Sequence, residues 1–371
     1  MSALRVLHID TEKTWRGGEQ QALYLAKGLQ ERGVEQLCVG RPGMPYVERC
    51  GAAGLVVEAV QMRGEGDLPG MRRLARLFRR WRPDVIHMHT SHAHTLGVVA
   101  RRWSGVGRTL VSRRVDFTIY RNFLRLSWFK YRFGVDLYIA ISEAIKRQLV
   151  KDGIPADRIE VVHSGIDPSR FDGVEPHDFH AEFGLPAGAP IIGDVAAFGW
   201  HKAQEYLVRA TPKILERHPE ARVFLIGEGK LQGAIEQEVR ALGLEDRILF
   251  TGFRTDVPSL IRGMDCFVMC SVLEGLCTSL LDSLALGCPA VGSAVGGIPE
   301  VLLHEQTGLT VPPRDPDALA AAIIRVLDDR ALRERLVANG REHVAAGFTN
   351  DTMVDGNLRL YERLLAGDAA R

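Results

Sequence analysis

Residues 265–300 read DCFVMCSVLEGLCTSLLDSLALGCPAVGSAVGGIPE. The apolar run 265–270 has the length and character of a buried strand. A turn carrying Glu274 and Gly275 interrupts it, and a helix opens near Thr278. Gly287-Cys288-Pro289 then leads into a small-residue strand at 290–293. Strand–helix–strand alternation of this kind implies a parallel sheet. Backbone amides at the helix start are unpaired and carry partial positive charge, which suits a phosphate. Glu274 lies before the helix and Asp282 about two turns inside it. Carboxylates there can accept hydrogen bonds from sugar hydroxyls. The plainer alternative is a helix start carrying solvated acids.

The alternation extends outward on both sides. Strand-like runs at 191–196, 223–227 and 248–251 alternate with helical patterns at 204–216 and 231–242. Residues 316–365 are mostly helical. A separate series fills the first half, with strands at 4–10, 36–39, 55–60, 84–89, 109–112 and 137–141. Its helices are expected at 19–31, at 71–81 and after the capping residue Ser142. Gly, Pro, Asp and His crowd 165–190, which reads as the connection between domains. A chain of 371 residues accommodates two domains of ordinary size. The expected fold class is α/β: two Rossmann-like, doubly wound parallel-sheet domains facing across a cleft. Ligands of such sheets sit beyond the carboxyl ends of the strands, so that cleft is the expected active site.

Hydrophobic residues make up 46% and charged residues 25%, enough apolar material for two cores. A net charge of +1 argues against nucleic acid as a partner. The six cysteines form no CxxC pair and no zinc spacing. Buried free thiols in a reducing compartment are expected. The N-terminal MSALRVLHID reads as a strand rather than a signal peptide. No apolar run reaches the roughly 18–20 residues that span a bilayer. A cytoplasmic location is expected, with the inner face of the cytoplasmic membrane as a surface open to it.

Past Asp282 come Gly296-Gly297-Ile298-Pro299-Glu300, Thr307-Gly308-Leu309 and Pro312-Pro313-Arg314-Asp315. Together with the acid-x7-acid pair, these runs resemble glycosyltransferase family 4, a large family of retaining GT-B transferases. Arg16-Gly17-Gly18-Glu19 is similar to the family's N-terminal glycine loop. Ser142-Glu143-Ala144, Gly165-Ile166-Asp167 and Phe171 resemble its interdomain run, and Gly227-Glu228-Gly229 its base-side loop. The resemblance covers nearly the whole chain. It implies an acceptor-binding domain at 1–168, a nucleotide-sugar-binding domain at 169–350, and a helix at 351–371 returning towards the first domain.

The resemblance also implies roles. Glu274 would contact donor-sugar hydroxyls and Asp282 the ribose. Amides around Leu276, Cys277 and Thr278 would hold a donor phosphate. Lys202, in Gly199-Trp200-His201-Lys202, would neutralise the diphosphate. Gly227 and Glu228 would serve the base side, while Gly17 and Gly18 would let backbone approach bound substrate. His89 matches a histidine near the donor sugar, and Arg113 and Asp116 fall on the acceptor side. Three departures stand out. Asp282 replaces the usual Glu, Cys277 a common Gly, and Ala197 the Arg expected five residues before the Lys.

The implied activity is retaining transfer of a sugar from a UDP- or GDP-linked donor to a hydroxyl of a glycan or lipid-linked acceptor. Synthesis of lipopolysaccharide or another envelope polysaccharide is the expected setting. No cofactor is expected beyond the donor, and no metal. His87, His89, His92 and His94 cluster in sequence, with His87 and His89 on one strand face. No carboxylate lies at ligand spacing, so they are not assigned a metal. Two alternatives stay open: a sugar-nucleotide 2-epimerase-like enzyme, and a non-catalytic GT-B subunit that binds nucleotide or glycan.

Two basic aromatic segments suggest an anionic membrane surface as a partner. In 71–81, Arg72, Arg73, Arg76, Arg79 and Arg80 surround a stripe of Met71, Leu74, Leu77, Phe78 and Trp81, with no acid. Packing of that stripe on the sheet would explain it as well. In 113–132, Arg121, Arg125, Lys130 and Arg132 interleave with Phe117, Tyr120, Phe123, Trp128 and Phe129.

Overall fold

The computed structural model describes residues 4–116, 118–119, 130–131 and 133–367. The chain divides into two compact units: residues 1–165 with 350–371, and residues 166–349.

Among the described residues, the first unit is built on seven parallel strands: β1 (Arg5–Ile9), β2 (Glu35–Gly40), β3 (Val57–Ala59), β4 (Val85–Met88), β5 (Arg108–Arg113), β6 (Leu137–Ala140) and β7 (Ile159–Val161). They lie in the order β3-β2-β1-β4-β5-β6-β7. All four residues of β4 are buried, as expected for a parallel strand covered on both faces. Strand order reverses at β1 and β4, the switch point where ligands of such sheets bind. Register pairs His8 with His87 there. The His89 amide then donates to the Ile9 carbonyl at 3.0 Å.

The C-terminal helix Asn350–Leu365 belongs to this unit. It supplies Met353, Val354, Leu360 and Tyr361 to the core. It approaches the first helix, Gly17–Glu31, closely because Gly28 has no side chain; a Cβ there would lie 2.5 Å from Val354. Arg32 bonds Asp351 at 2.9 Å and Asp355 at 2.6 Å.

The second unit repeats the plan with six described strands: β8 (Ile191–Val195), β9 (Arg222–Ile226), β10 (Ile248–Gly252), β11 (Cys266–Met269), β12 (Ala290–Ser293) and β13 (Leu309–Val311). Their order is β10-β9-β8-β11-β12-β13, with the switch point between β8 and β11.

The segment 165–190, read from its composition as the connection between domains, folds onto the second unit from Ile166 onward. Phe171 and Phe179 are its buried anchors, and the Phe179 ring lies 4.5 Å from that of Phe224. Its turn Pro168–Phe171 and helix Phe179–Phe183 are too short to show a period. Two further helices, Pro45–Ala52 and Ser91–Ser104, were not expected from the sequence. All six cysteines are free and buried. No described helix is long and apolar enough to cross a membrane.

Candidate active site

In the second unit, the loops after β8 and β11 meet. The Val272 amide donates to the His201 carbonyl at 2.9 Å, tying the two loops together. This brings Lys202 Nζ to 2.5 Å from Glu274 Oε2. Both side chains are mostly buried, at 16% and 14% exposure. The Glu274 carboxylate also accepts from Ser271 Oγ at 3.3 Å and from the Gly275 amide at 3.3 Å. Gly296 supports the Glu274 backbone from behind, since a Cβ there would fall 1.8 Å from the Glu274 carbonyl oxygen.

Next to this pair begins the helix Thr278–Leu286, with Cys277 as its N-cap. No side chain caps it, so its first amides remain available to an anion. Leu276 and Cys277 are buried, with Thr278 as the first helical residue. Cys277 adopts φ +73°, the left-handed region where glycine is favoured. The departure from the family glycine therefore carries backbone strain of order 1 kcal/mol. Burial, followed by the charge of Glu274, pushes the Cys277 thiol up to about 11, so it stays protonated.

Gly227 and Gly229 shape the β9 loop. A Cβ at Gly227 would lie 2.2 Å from the Ala196 carbonyl, and one at Gly229 2.4 Å from that of Phe198. The loop thus packs directly on the backbone flanking Ala197. Glu228 is exposed, and its carboxylate accepts from the Phe253 amide at 3.4 Å.

Asp282 faces Arg170, with Nη2 to Oδ2 at 2.8 Å, while its Oδ1 has no hydrogen-bond partner. Burial raises its pKa to about 6 against the opposing pull of Arg170. The substitution of Asp for Glu has thus left an ion pair and one open acceptor oxygen.

Lys202 also feels a residue that the sequence did not point to. Asp194, near the end of β8, is buried, and desolvation raises its pKa to about 7. The Lys202 charge and a Gln204 hydrogen bond oppose that rise. Burial alone would lower the Lys202 pKa. The charge and hydrogen bond of Glu274, with Asp194, outweigh it and leave the ammonium more basic than usual. Because the folded-state pKa of Asp194 is raised, its contribution to stability is fully present below pH ~4 and is lost as pH rises through about 7. Asp194→Asn should therefore be more stable than the parent at pH 8, by at most about 4 kcal/mol, with the gap closing towards pH 4. Thermal unfolding across that range checks this, and parallel curves would refute it.

In the first unit, a cavity of about 360 Å³ opens at the β1/β4 switch point, lined by Gly18, Glu19, His89, Arg113 and Arg114 among others. Gly17 opens the adjoining helix. Gly18 leaves room for Arg114, whose Cδ would lie 3.4 Å from a Cβ there. Burial lowers the Arg114 pKa, while the charges of Asp10 and Glu19 oppose this. Asp10, at the end of β1, is itself pushed up to about 7, chiefly by burial. Arg113 donates to the Tyr131 hydroxyl at 2.7 Å. Asp116 is half-buried and does not line the cavity.

His89 Nε2 lies 3.0 Å from His8 Nδ1, and His89 Nδ1 is unpartnered. Burial, then the charges of His87, His8 and Arg114, holds its pKa well below the usual value. His8, His87 and His89 together place ring nitrogens within metal-ligating reach. Five of those six nitrogens are already engaged. His87 bonds Tyr361 and Ser112, each at 2.7 Å, and His8 bonds His89 and Gln36. A cation would have to break several of these bonds.

The basic segments divide. The stripe Met71, Leu74, Leu77 and Phe78 is buried. Arg73, Arg79 and Arg80 are engaged by Asp67, the Trp103 carbonyl and Glu58, acids and carbonyls from outside the helix. Arg72 and Arg76 are exposed. Lys130 Nζ bonds Glu65 at 2.8 Å and the Ser91 carbonyl at 2.6 Å. Phe117, Tyr120, Arg121, Phe123, Arg125, Trp128, Phe129 and Arg132 lie outside the described residues.

Residues 15–170 match Glycosyltransferase Family 4, and residues 177–343 match Glycosyl transferases group 1. The chain belongs to glycosyltransferase family 4 and is a glycosyltransferase with the GT-B fold. It is 28% identical over 369 residues to LpsD of Rhizobium meliloti, a lipopolysaccharide core biosynthesis glycosyltransferase, covering 98% of this chain and 99% of that one. It is 32% identical over 231 residues to an uncharacterized glycosyltransferase of Methanocaldococcus jannaschii; that match spans 60% of this chain and 59% of the relative. HepE of Anabaena, solved with UDP, superposes with a TM-score of 0.85 at 20% identity, covering 97% of this chain and 100% of that one.

Proposed function

We propose that this chain is a retaining glycosyltransferase that moves a sugar from a UDP- or GDP-sugar to a hydroxyl of a glycan or lipid-linked acceptor. Assembly of lipopolysaccharide or another envelope polysaccharide is the proposed setting, a reading supported by the full-length likeness to LpsD. The observation that carries the donor assignment is the buried Lys202–Glu274 pair beside the uncapped start of Thr278–Leu286. Negative charge developing on the leaving diphosphate would be met by the Lys202 ammonium and the amides at Cys277 and Thr278. These groups are already in position, so no metal is required. Glu274 accepts hydrogen bonds from the donor sugar, and the open Oδ1 of Asp282 accepts one from the ribose. The leaving phosphate takes the acceptor proton, since no side-chain nucleophile is assigned.

The acceptor is held by the first unit near Arg113 and the His89 cavity. Arg72 and Arg76, with the exposed Leu68 and Trp103, support contact with an anionic membrane surface. Glu274→Ala removes charged hydrogen bonds worth about 1.5–3 kcal/mol, so kcat/KM for donor turnover should fall roughly 10- to 100-fold. Sugar-nucleotide hydrolysis and transfer assays read this directly. Activity equal to that of the parent would sink the donor-site reading.

A further inference from the structure

We propose that Gln36 and His8 form a hydrogen-bonded relay that fixes the tautomer of His89, leaving its Nδ1 bare beside the first-unit cavity as an acceptor for a substrate hydroxyl. The inference rests on the reading of this cavity as part of a transferase site.

The argument starts at a backbone carbonyl. Gln36 Nε2 lies 2.6 Å from the Ala26 carbonyl oxygen, which can only accept, so that end of the amide is its NH2 group. Gln36 Oε1 therefore faces His8 Nε2, at 3.1 Å, and an amide oxygen also only accepts. His8 Nε2 must carry a hydrogen. Burial holds the His8 pKa at about 4, so the ring is neutral and its Nδ1 is bare. That bare nitrogen lies 3.0 Å from His89 Nε2, which must then be the donor. His89 is neutral as well, so its own Nδ1 is bare. This is the one ring nitrogen of the three packed histidines with no partner, and it is buried in a residue that lines the cavity.

The Gln36 link is fixed by a carbonyl that can only accept, and the two histidine links follow from it with both rings neutral in their buried setting. His87 completes the packing. Its ring centroid lies 4.1 Å from that of His89, and it is held by Tyr361 of the C-terminal helix. A buried bare nitrogen is a lost hydrogen bond until something donates to it. Phosphate oxygens only accept and would be repelled; a hydroxyl donates. The relay thus selects a sugar hydroxyl, not a charged phosphate, for this corner of the cavity. It also gives a functional reason for His8 facing His87 in the strand register.

The test separates tautomer from activity. The full chain labelled with 15N-histidine gives the protonation of each ring nitrogen from long-range 1H–15N spectra, with His89 assigned by its loss in His89→Gln. The expected result is a hydrogen on Nε2 and none on Nδ1. A protonated Nδ1 in the parent overturns the relay, while leaving the transferase reading to the Glu274 assay. Gln36→Met and His8→Leu should release the tautomer and lower kcat/KM about tenfold, with Tm measured alongside. His8→Asn, whose Oδ1 can replace the lost acceptor, should restore both tautomer and rate. The probe is the UDP- or GDP-sugar that raises Tm most. A defect in its hydrolysis without acceptor assigns the hydroxyl to the donor sugar, and one confined to transfer assigns it to the acceptor. Released tautomers with unchanged rates overturn the substrate role.

Discussion

Lys202→Ala is expected to lower kcat by about 10²–10³-fold, the range for removing one preorganised group that meets charge in the transition state. The expectation is at the upper end because the neighbouring cation is missing. Ala197 stands where the family usually has Arg, and its surroundings are closed by Gly227 and Gly229 packing on the same loop. On the proposed donor-site reading, Lys202 and the helix amides carry the diphosphate charge between them. The substitution also has a structural side. It strips the cation from Glu274 and weakens the electrostatic support of Asp194. An unpaired buried charge is costly, so Tm should drop more at pH 8 than at pH 5, where Asp194 is protonated. Glu274→Gln in the same chain should recover much of that stability by removing the stranded carboxylate, and none of the rate. Single-turnover donor hydrolysis with Tm at both pH values distinguishes these effects. A kcat within tenfold of the parent would show that the diphosphate charge is met elsewhere.

The parts of this site differed in how visible they were in the sequence. Glu274, the helix start and the glycine turn at Gly296 lie within one contiguous stretch, and local pattern marks them. Lys202 is legible through the likeness of its run 199–202 to the family; that it meets Glu274 depends on β8 and β11 being neighbours, a fact of sheet order. Asp10 and Asp194 were missed because an acid closing an apolar strand looks like ordinary punctuation. Their shared place, near the carboxyl ends of the two switch-point strands, was the available signal. His8 was invisible for a related reason. Spacing put His87 and His89 on one face, but only the parallel register of β1 with β4 adds the third ring. The segment 165–190 carries its docking in single residues rather than in a pattern. Its loop-like composition is real, yet Phe171 and Phe179 are enough to dock it on the second unit.

Alanine at Gly296 should be nearly as damaging as loss of Lys202, although it adds a single methyl group. Gly296 has φ +53°, where an L-residue is strained by about 1 kcal/mol. Its missing Cβ would lie 1.8 Å from the Glu274 carbonyl oxygen and 2.8 Å from the carbonyl carbon. These are backbone atoms, and they cannot swing aside as a side-chain tip can. Either the 296–297 turn or the Glu274 loop has to move by more than an ångström. A displacement of that size at a reacting group costs on the order of 10²-fold in rate. Overpacking and strain together should remove about 2–4 kcal/mol of stability. Gly233→Ala supplies the contrast. That glycine is exposed inside the helix Gln232–Ala241, with nothing within 4 Å of a Cβ. There the same methyl should raise stability by up to about 1 kcal/mol through helix propensity and leave donor turnover unchanged. Thermal unfolding and donor kinetics on the two variants therefore read opposite signs for one chemical change. If Gly296→Ala kept parental rate and Tm, the glycine turn would not be what holds Glu274 in place against Lys202.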